Sequence, residues 1–102
     1  MKEKDLNGSV AKTVFGWTGV FTSGESETLG YPPGISKLEH TPRWSRYMTG
    51  AWMVVEGMKR TKCAKQFADW FNHANLWSLS ENDAARLICD TAVRMLQDEP
   101  SD

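Results

Sequence analysis

The sequence lacks the long apolar runs and the large charge excess that mark several broad classes of protein. No apolar stretch approaches the roughly 18 residues that a bilayer-spanning helix needs, so a membrane span is not expected. The segment MKEKDLNGSV mixes acids with lysines and has no apolar run behind them, so it does not resemble a secretory signal. The formal net charge is only −1, which argues against non-specific binding of nucleic acid and permits self-association into a homo-oligomer. We therefore expect a soluble, intracellular protein.

Cysteine is also scarce, since the chain contains only Cys63 and Cys89. Both lie in apolar helical patterns, and without an export signal they are most simply reduced core thiols rather than a disulfide. His40 and His73 are the only histidines, and the four side chains show none of the spacings of known zinc sites. We therefore expect no metal site.

Catalytic motifs are missing as well: the chain has no nucleophile elbow, no P-loop and no dinucleotide fingerprint. We therefore expect a protein that is not an enzyme and that uses no cofactor. Two residues keep an enzymatic alternative open. Cys63 follows Arg60 and Lys62, cations that would lower its pKa, although an apolar helical position favours an inert thiol. Glu56 would be a buried base, but the simpler interpretation pairs it with Arg60 one helical turn later.

The chain does contain a regular succession of amphipathic segments and turns. This order predicts a small α+β fold, with a short β-sheet layered against three to four helices. At 102 residues it fits a single domain, which we place at residues 1–98, followed by a frayed acidic tail at 99–102. The predicted helices lie near residues 5–16, 42–60, 62–73 and 81–97. The predicted strands are Trp17–Thr22, Leu29–Tyr31 and Leu76–Leu79.

Capping residues support three of these boundaries. Gly16 follows the first apolar stripe and suits the left-handed conformation that ends a helix. Thr41 and Pro42 fit the N-cap and first position of the second helix. Ser80, with Asp83 three residues later, resembles a capping box for the last helix.

Tryptophan and local charge are the features that suggest binding. Five tryptophans are many for this length, and large aromatics serve both as core residues and as binding hot spots. Residues 40–72 carry six Lys/Arg against two Asp/Glu, whereas residues 73–102 carry two against six. Two interpretations remain open: solvated helix faces that attract each other, or a basic face that accepts an anion.

The best candidate site is the segment from His40 to Tyr47, which places two arginines and two aromatics at the predicted start of the second helix. A helix N-terminus offers free N–H groups to an anion, arginine binds phosphate in a bidentate manner, and an aromatic ring stacks on a base. The candidate ligand-binding residues are Arg43, Trp44, Arg46, Tyr47, His40 and Trp17. The alternative is that Trp44 and Tyr47 belong to the core and the arginines only solubilise the surface.

The order of several short motifs resembles that of phage ABA sandwich domain proteins, small proteins of phages and prophages. The matching segments are Val10–Ala11, Gly16–Trp17, Pro32–Pro33–Gly34, Trp44–Ser45, residues 51–58 (AWMVVEGM) and residues 84–93 (AARLICDTAV). The resemblance implies a sheet layer between helices, a phage origin and residence in the bacterial cytoplasm, and it carries no established activity. Where the family has Tyr-Ser-Thr-Asp, this chain has Trp44-Ser45-Arg46-Tyr47, so an acidic site there is lost.

These features together predict a phage accessory protein that binds a host component and inhibits or sequesters it. The candidate targets are an antiviral defence protein or a small anionic signalling nucleotide. Two alternatives belong to other functional classes: a small enzyme that uses Glu56 or Cys63, and a structural or assembly protein of the virion.

Overall fold

The computed structural model describes residues 3–23 and 27–97, and within them the chain has the α+β architecture that the sequence predicts. The predicted tail at residues 99–102 and the end of the predicted domain at residue 98 lie outside these residues. The helices are α1 (Glu3–Thr13), α2 (Met48–Met58), α3 (Ala64–His73) and α4 (Glu81–Gln97). The strands are β1 (Thr18–Ser23), β2 (Glu27–Tyr31) and β3 (Glu39–His40), and a 3-10 turn covers Leu76–Ser78.

The three strands form an antiparallel sheet in the order β1-β2-β3. β1 and β2 agree with the two predicted strands to within two residues, whereas the two-residue β3 was not predicted. Gly16 adopts a φ of 70° after α1, as predicted, and this left-handed residue turns the chain from the helix into β1. The sheet packs mainly against α1, so it forms an outer layer rather than the middle layer that the resemblance implies.

α4 is the centre of the helical part, because α1, α2 and α3 all pack against it. Its bounds are those predicted from sequence, and its start is capped as expected: the Asp83 N–H donates to the Ser80 hydroxyl at 3.3 Å. Its apolar stripe meets the inner faces of the other helices in one continuous core. The residues of α4 in this core are Ala85, Ile88, Cys89, Ala92 and Val93.

The predicted start of the second helix is wrong by six residues. α2 begins at Met48 rather than at residue 42, and Tyr47 is its N-cap without a side-chain capping bond. Thr41 and Pro42 therefore precede an irregular segment instead of starting a helix. The physical reason is tertiary: this segment crosses α2 at Gly50, where an added Cβ would lie 2.9 Å from the Trp44 Cα.

The prediction of a strand at Leu76–Leu79 is also wrong, since these residues form the 3-10 turn and its C-cap. Each consecutive residue of this turn points in a different direction, so Leu76 packs against the core while Trp77 faces outward. Across residues 3–23 and 27–97, the helices are too short or too polar to cross a membrane.

Candidate functional site

The structure places two of the six predicted ligand-binding residues in or against the core and the other four at the surface. Trp44 is a core residue, only 2% exposed, and Trp17 is partly buried against it. The other four lie at the surface: His40 on β3, and Arg43, Arg46 and Tyr47 in the segment before α2. Trp44 therefore has no open face on which a base could stack. For this residue the alternative interpretation, a place in the core, is confirmed.

Two interactions explain why the segment before α2 folds inward instead of continuing the helix. The Trp44 ring stacks on Phe15 at 4.9 Å between centroids and meets Trp17 edge-on at 6.1 Å. The neighbouring Ser45 donates to the Asn7 side-chain oxygen from its backbone N–H (3.2 Å) and from its hydroxyl (2.9 Å). Asn7 and Ser45 are both buried, so these bonds satisfy polar groups that would otherwise be stranded.

The helix N-terminus that was expected to bind an external anion already has an internal one. The Met48 backbone N–H, the first of α2, donates to the Glu81 carboxylate at 3.1 Å. A carboxylate at this position is favoured by the helix dipole and occupies the place of a bound anion. Arg46 instead lies over the Tyr47 ring, with its guanidinium carbon 5.6 Å from the ring centroid. Arg46 also borders a shallow polar depression whose lining includes a second arginine, Arg86, and the acidic Asp83.

The residues of the enzymatic alternative lie in opposite environments. Cys63 is buried, with its sulfur 3.5 Å from the Met95 carbonyl oxygen, and it is a free thiol like Cys89. Burial, with a smaller contribution from Asp90, raises the pKa of the Cys89 thiol to about 12. Glu56 is exposed and pairs with Lys59 at 3.0 Å, not with Arg60 as predicted. No three His, Cys, Asp or Glu side chains in the described ranges gather in a way that would hold a metal ion.

The most distinctive surface feature is an apolar groove between α2, the end of α3, the 3-10 turn and the start of α4. Its volume is about 420 Å³, within the range of roughly 300–1,000 Å³ that is typical of ligand pockets. We call it the apolar groove throughout. Its walls are mostly apolar and aromatic: Met48, Trp52, Phe71, Ala74, Leu76, Trp77, Leu79 and Ala84, with Asn72 and Glu81 as the polar members.

An aromatic network holds one wall of the groove in place. Trp52 meets Phe71 edge-on at 5.7 Å between centroids, and Phe71 stacks on Phe67 at 6.2 Å. Phe67 is buried in the core, so the network ties a half-exposed tryptophan to the rigid interior. Such fixed aromatic surfaces lose little conformational entropy on binding.

The opposite lip of the groove is Trp77, which is 95% exposed. It projects from a short turn that is closed by two hydrogen bonds: the Leu79 N–H to the Leu76 carbonyl at 3.1 Å, and the Ser78 hydroxyl to the Asn75 carbonyl at 2.9 Å. The turn is therefore ordered while its largest side chain contacts mainly solvent. An exposed indole of this kind is a typical anchor for a partner.

A second depression, of about 350 Å³, continues from the groove along the outer face of α2. Trp52 belongs to both, and Met53, 50% exposed, adds apolar surface between them. Arg60 lies at the far end, and its guanidinium has no carboxylate partner among residues 3–23 and 27–97. The two depressions thus form one elongated, mostly apolar face, whose far part is lined by Glu56 as well as Arg60.

Sequence reasoning missed the groove because it assigned the exposed site to the arginine-rich segment. A signal was present for Trp77, which stands between Leu76 and Ser78 in a short segment outside any helical stripe. A second signal was α2 itself, whose Trp52 and Met53 extend the apolar surface beyond the stripe that faces α4. A small domain with apolar residues on both sides of a helix has more apolar surface than its own core can cover.

Comparison of the chain with models of protein families, with curated proteins and with solved structures finds no match in any of the three. The resemblance to phage ABA sandwich domain proteins therefore stays a prediction.

Proposed function

We propose that this chain is a non-catalytic phage accessory protein that captures a host protein by taking an apolar segment of it into the apolar groove. The observation that carries the proposal is the 95% exposed Trp77 at the lip of an aromatic-lined groove of about 420 Å³. Water contact with an indole is unfavourable, so covering it with a partner's apolar side chains stabilises a complex.

The chemistry of the face indicates the kind of segment that fits. The groove and the adjoining depression favour two aromatic or long aliphatic anchors, one on each side of Trp52. Arg60 lies at the end of the face and has no carboxylate partner in the part of the chain that the structure describes. It favours an acidic residue beside the second anchor, because a carboxylate there gains a charge-assisted hydrogen bond. The proposed ligand is therefore an amphipathic segment with apolar anchors and one carboxylate.

A protein target is favoured over a signalling nucleotide by the position of the aromatic surface. The two exposed tryptophans, Trp52 and Trp77, line the apolar groove, while Trp44, one of the two rings expected to stack on a base, lies in the core. The other, Tyr47, is half-exposed outside the groove. The phage origin and the inhibitory role of the capture rest on the resemblance alone. A virion role and an enzymatic role remain competing proposals, and neither makes use of the groove.

The direct test is selection of peptides from a random library on the wild-type protein, followed by counter-selection on a Trp77→Ser variant. Trp77 is almost fully exposed, so the variant should keep the wild-type fold and thermal midpoint. We expect the enriched peptides to share two apolar anchors and an acidic residue. Their affinity should fall about thirty-fold or more on Trp77→Ser, the loss of a hot-spot side chain.

Two further variants sharpen the test. Arg60→Glu should weaken binding of the acidic peptides selectively. Phe21 is an exposed aromatic on β1 outside the groove, so Phe21→Ser should leave the binding of all peptides unchanged.

The same variants then serve in affinity purification from the infected host, with native mass spectrometry of the proteins retained. A host protein retained by wild type and Phe21→Ser but lost by Trp77→Ser supports the proposal. Peptides or host proteins that bind all variants equally would contradict it.

A further inference from the structure

We infer that, while no host segment is bound, the apolar groove is occupied by Trp77 of a second copy of this chain, in a two-fold symmetric dimer. This dimer rests on the proposed role of the groove as a docking site, and it would regulate access of the host segment to the groove. Self-association covers the groove, and the host segment competes with the second copy for it.

The symmetry follows from the position of Trp77, which is both the projecting side chain and one wall of the groove. A contact between two different patches is head-to-tail and produces rings or filaments, whereas a two-fold contact needs the projection and the groove on one self-complementary patch. Here they are adjacent, so inserting one Trp77 into the partner's groove brings the partner's Trp77 to the first groove. The assembly is then complete with two copies, and the two Trp77 indoles meet near the two-fold axis.

The area available on this face suits a small, reversible dimer. Trp77 exposes nearly its whole side chain, and Trp52 and Met53 expose about half of theirs. With aromatic side chains of about 150–250 Å² each, these residues and the groove wall supply roughly 500 Å² per copy. Two copies therefore bury on the order of 1,000 Å², the lower limit for a specific interface, and such a dimer dissociates readily.

The groove wall carries few charged groups that could oppose this contact. Glu81 is the one carboxylate in the groove wall among the described residues, and it already accepts the Met48 N–H. The chain's net charge of −1 adds little repulsion between two copies. The helix dipole of α2 offsets part of the charge that each Glu81 brings to the interface.

The test combines sedimentation with tryptophan fluorescence across a wide range of protein concentration. Wild type should pass from monomer to dimer, and its emission maximum should move to shorter wavelength as Trp77 leaves water. In Trp77→Ser the dissociation constant should rise about a thousand-fold, since each dimer loses two hot-spot indoles. Leu79→Glu, which places a charge in the groove wall and keeps Trp77, should weaken the dimer as well.

The control is Phe21→Ser, which removes an exposed aromatic of the sheet and should dimerise like wild type. A wild-type protein that stays monomeric at every concentration would overturn the inference, as would a Trp77→Ser dimer of unchanged affinity. These outcomes are separable from failure of the proposed function. A monomer that still binds the selected peptides through Trp77 refutes only the dimer, whereas a Trp77-dependent dimer that binds no peptide refutes only the capture of a host segment.

Discussion

Replacing Gly50 by alanine tests the finding that α2 begins at Met48 with the preceding segment folded across it. In an uninterrupted helix over residues 42–60, glycine to alanine at an interior position would stabilise the protein by about 1 kcal/mol. In the structure, the new Cβ meets backbone atoms, lying 2.9 Å from the Trp44 Cα and 3.0 Å from the Arg43 carbonyl oxygen. Backbone cannot move as a flexible side chain can, and overpacking of this kind costs about 1–3 kcal/mol. Offset by the propensity gain of about 1 kcal/mol, this leaves an expected net loss of up to about 2 kcal/mol.

The assay is urea unfolding followed by circular dichroism, with Gly8→Ala as the matched control. Gly8 lies in α1, where an added Cβ would make ordinary contacts at 3.4 Å with Thr28 and 3.5 Å with Val20. The same substitution there should stabilise the protein by about 1 kcal/mol through helix propensity. Opposite signs at the two positions are the expected result. Equal stabilisation by Gly50→Ala and Gly8→Ala would refute the folded-back segment.

Two further predictions concern buried groups. Because the pKa of Cys89 is raised to about 12, the folded state keeps a proton that the unfolded thiol loses above its ordinary value of 9.0. Stability should therefore fall by about 1.4 kcal/mol per pH unit between pH 9 and 12, and pH-dependent unfolding of Cys89→Ala should lack this slope. Asn7→Ala should destabilise more than Ser45→Ala, by about 2–4 against about 1 kcal/mol, because it strands two buried donors. Equal losses in urea unfolding would show that the pair is not satisfied as described.

The elements that depend on local sequence could be predicted. α4 carries its own N-cap and a regular apolar stripe, and its bounds of 81–97 were predicted without error. α3 was predicted to within two residues, and Gly16 ends its segment in the predicted left-handed conformation. In each case the determining signal is contained within a few neighbouring residues. Such signals are independent of what the rest of the chain does.

The elements that depend on distant contacts could not be predicted. The start of α2 is set by Trp44 entering an aromatic cluster with Phe15 and by Ser45 bonding to Asn7, a residue 38 positions away. These contacts override a favourable Thr-Pro start signal. The groove has the same cause, because it exists only where the outer face of α2 meets the turn at Trp77. The sequence shows these residues, but it does not show that the fold brings them together.

The bond between Glu81 and the start of α2 has a consequence for the direction in which a peptide threads through the site. Glu81 stands at the Met48 end of the helix, and Arg60 lies just past its other end. The helix between them is about 16 Å long, eleven residues at 1.5 Å each. A linear ligand that lies along this face therefore meets the Glu81 carboxylate at one end and the Arg60 guanidinium at the other. A peptide and its reversed sequence should bind unequally, although both present the same apolar side chains.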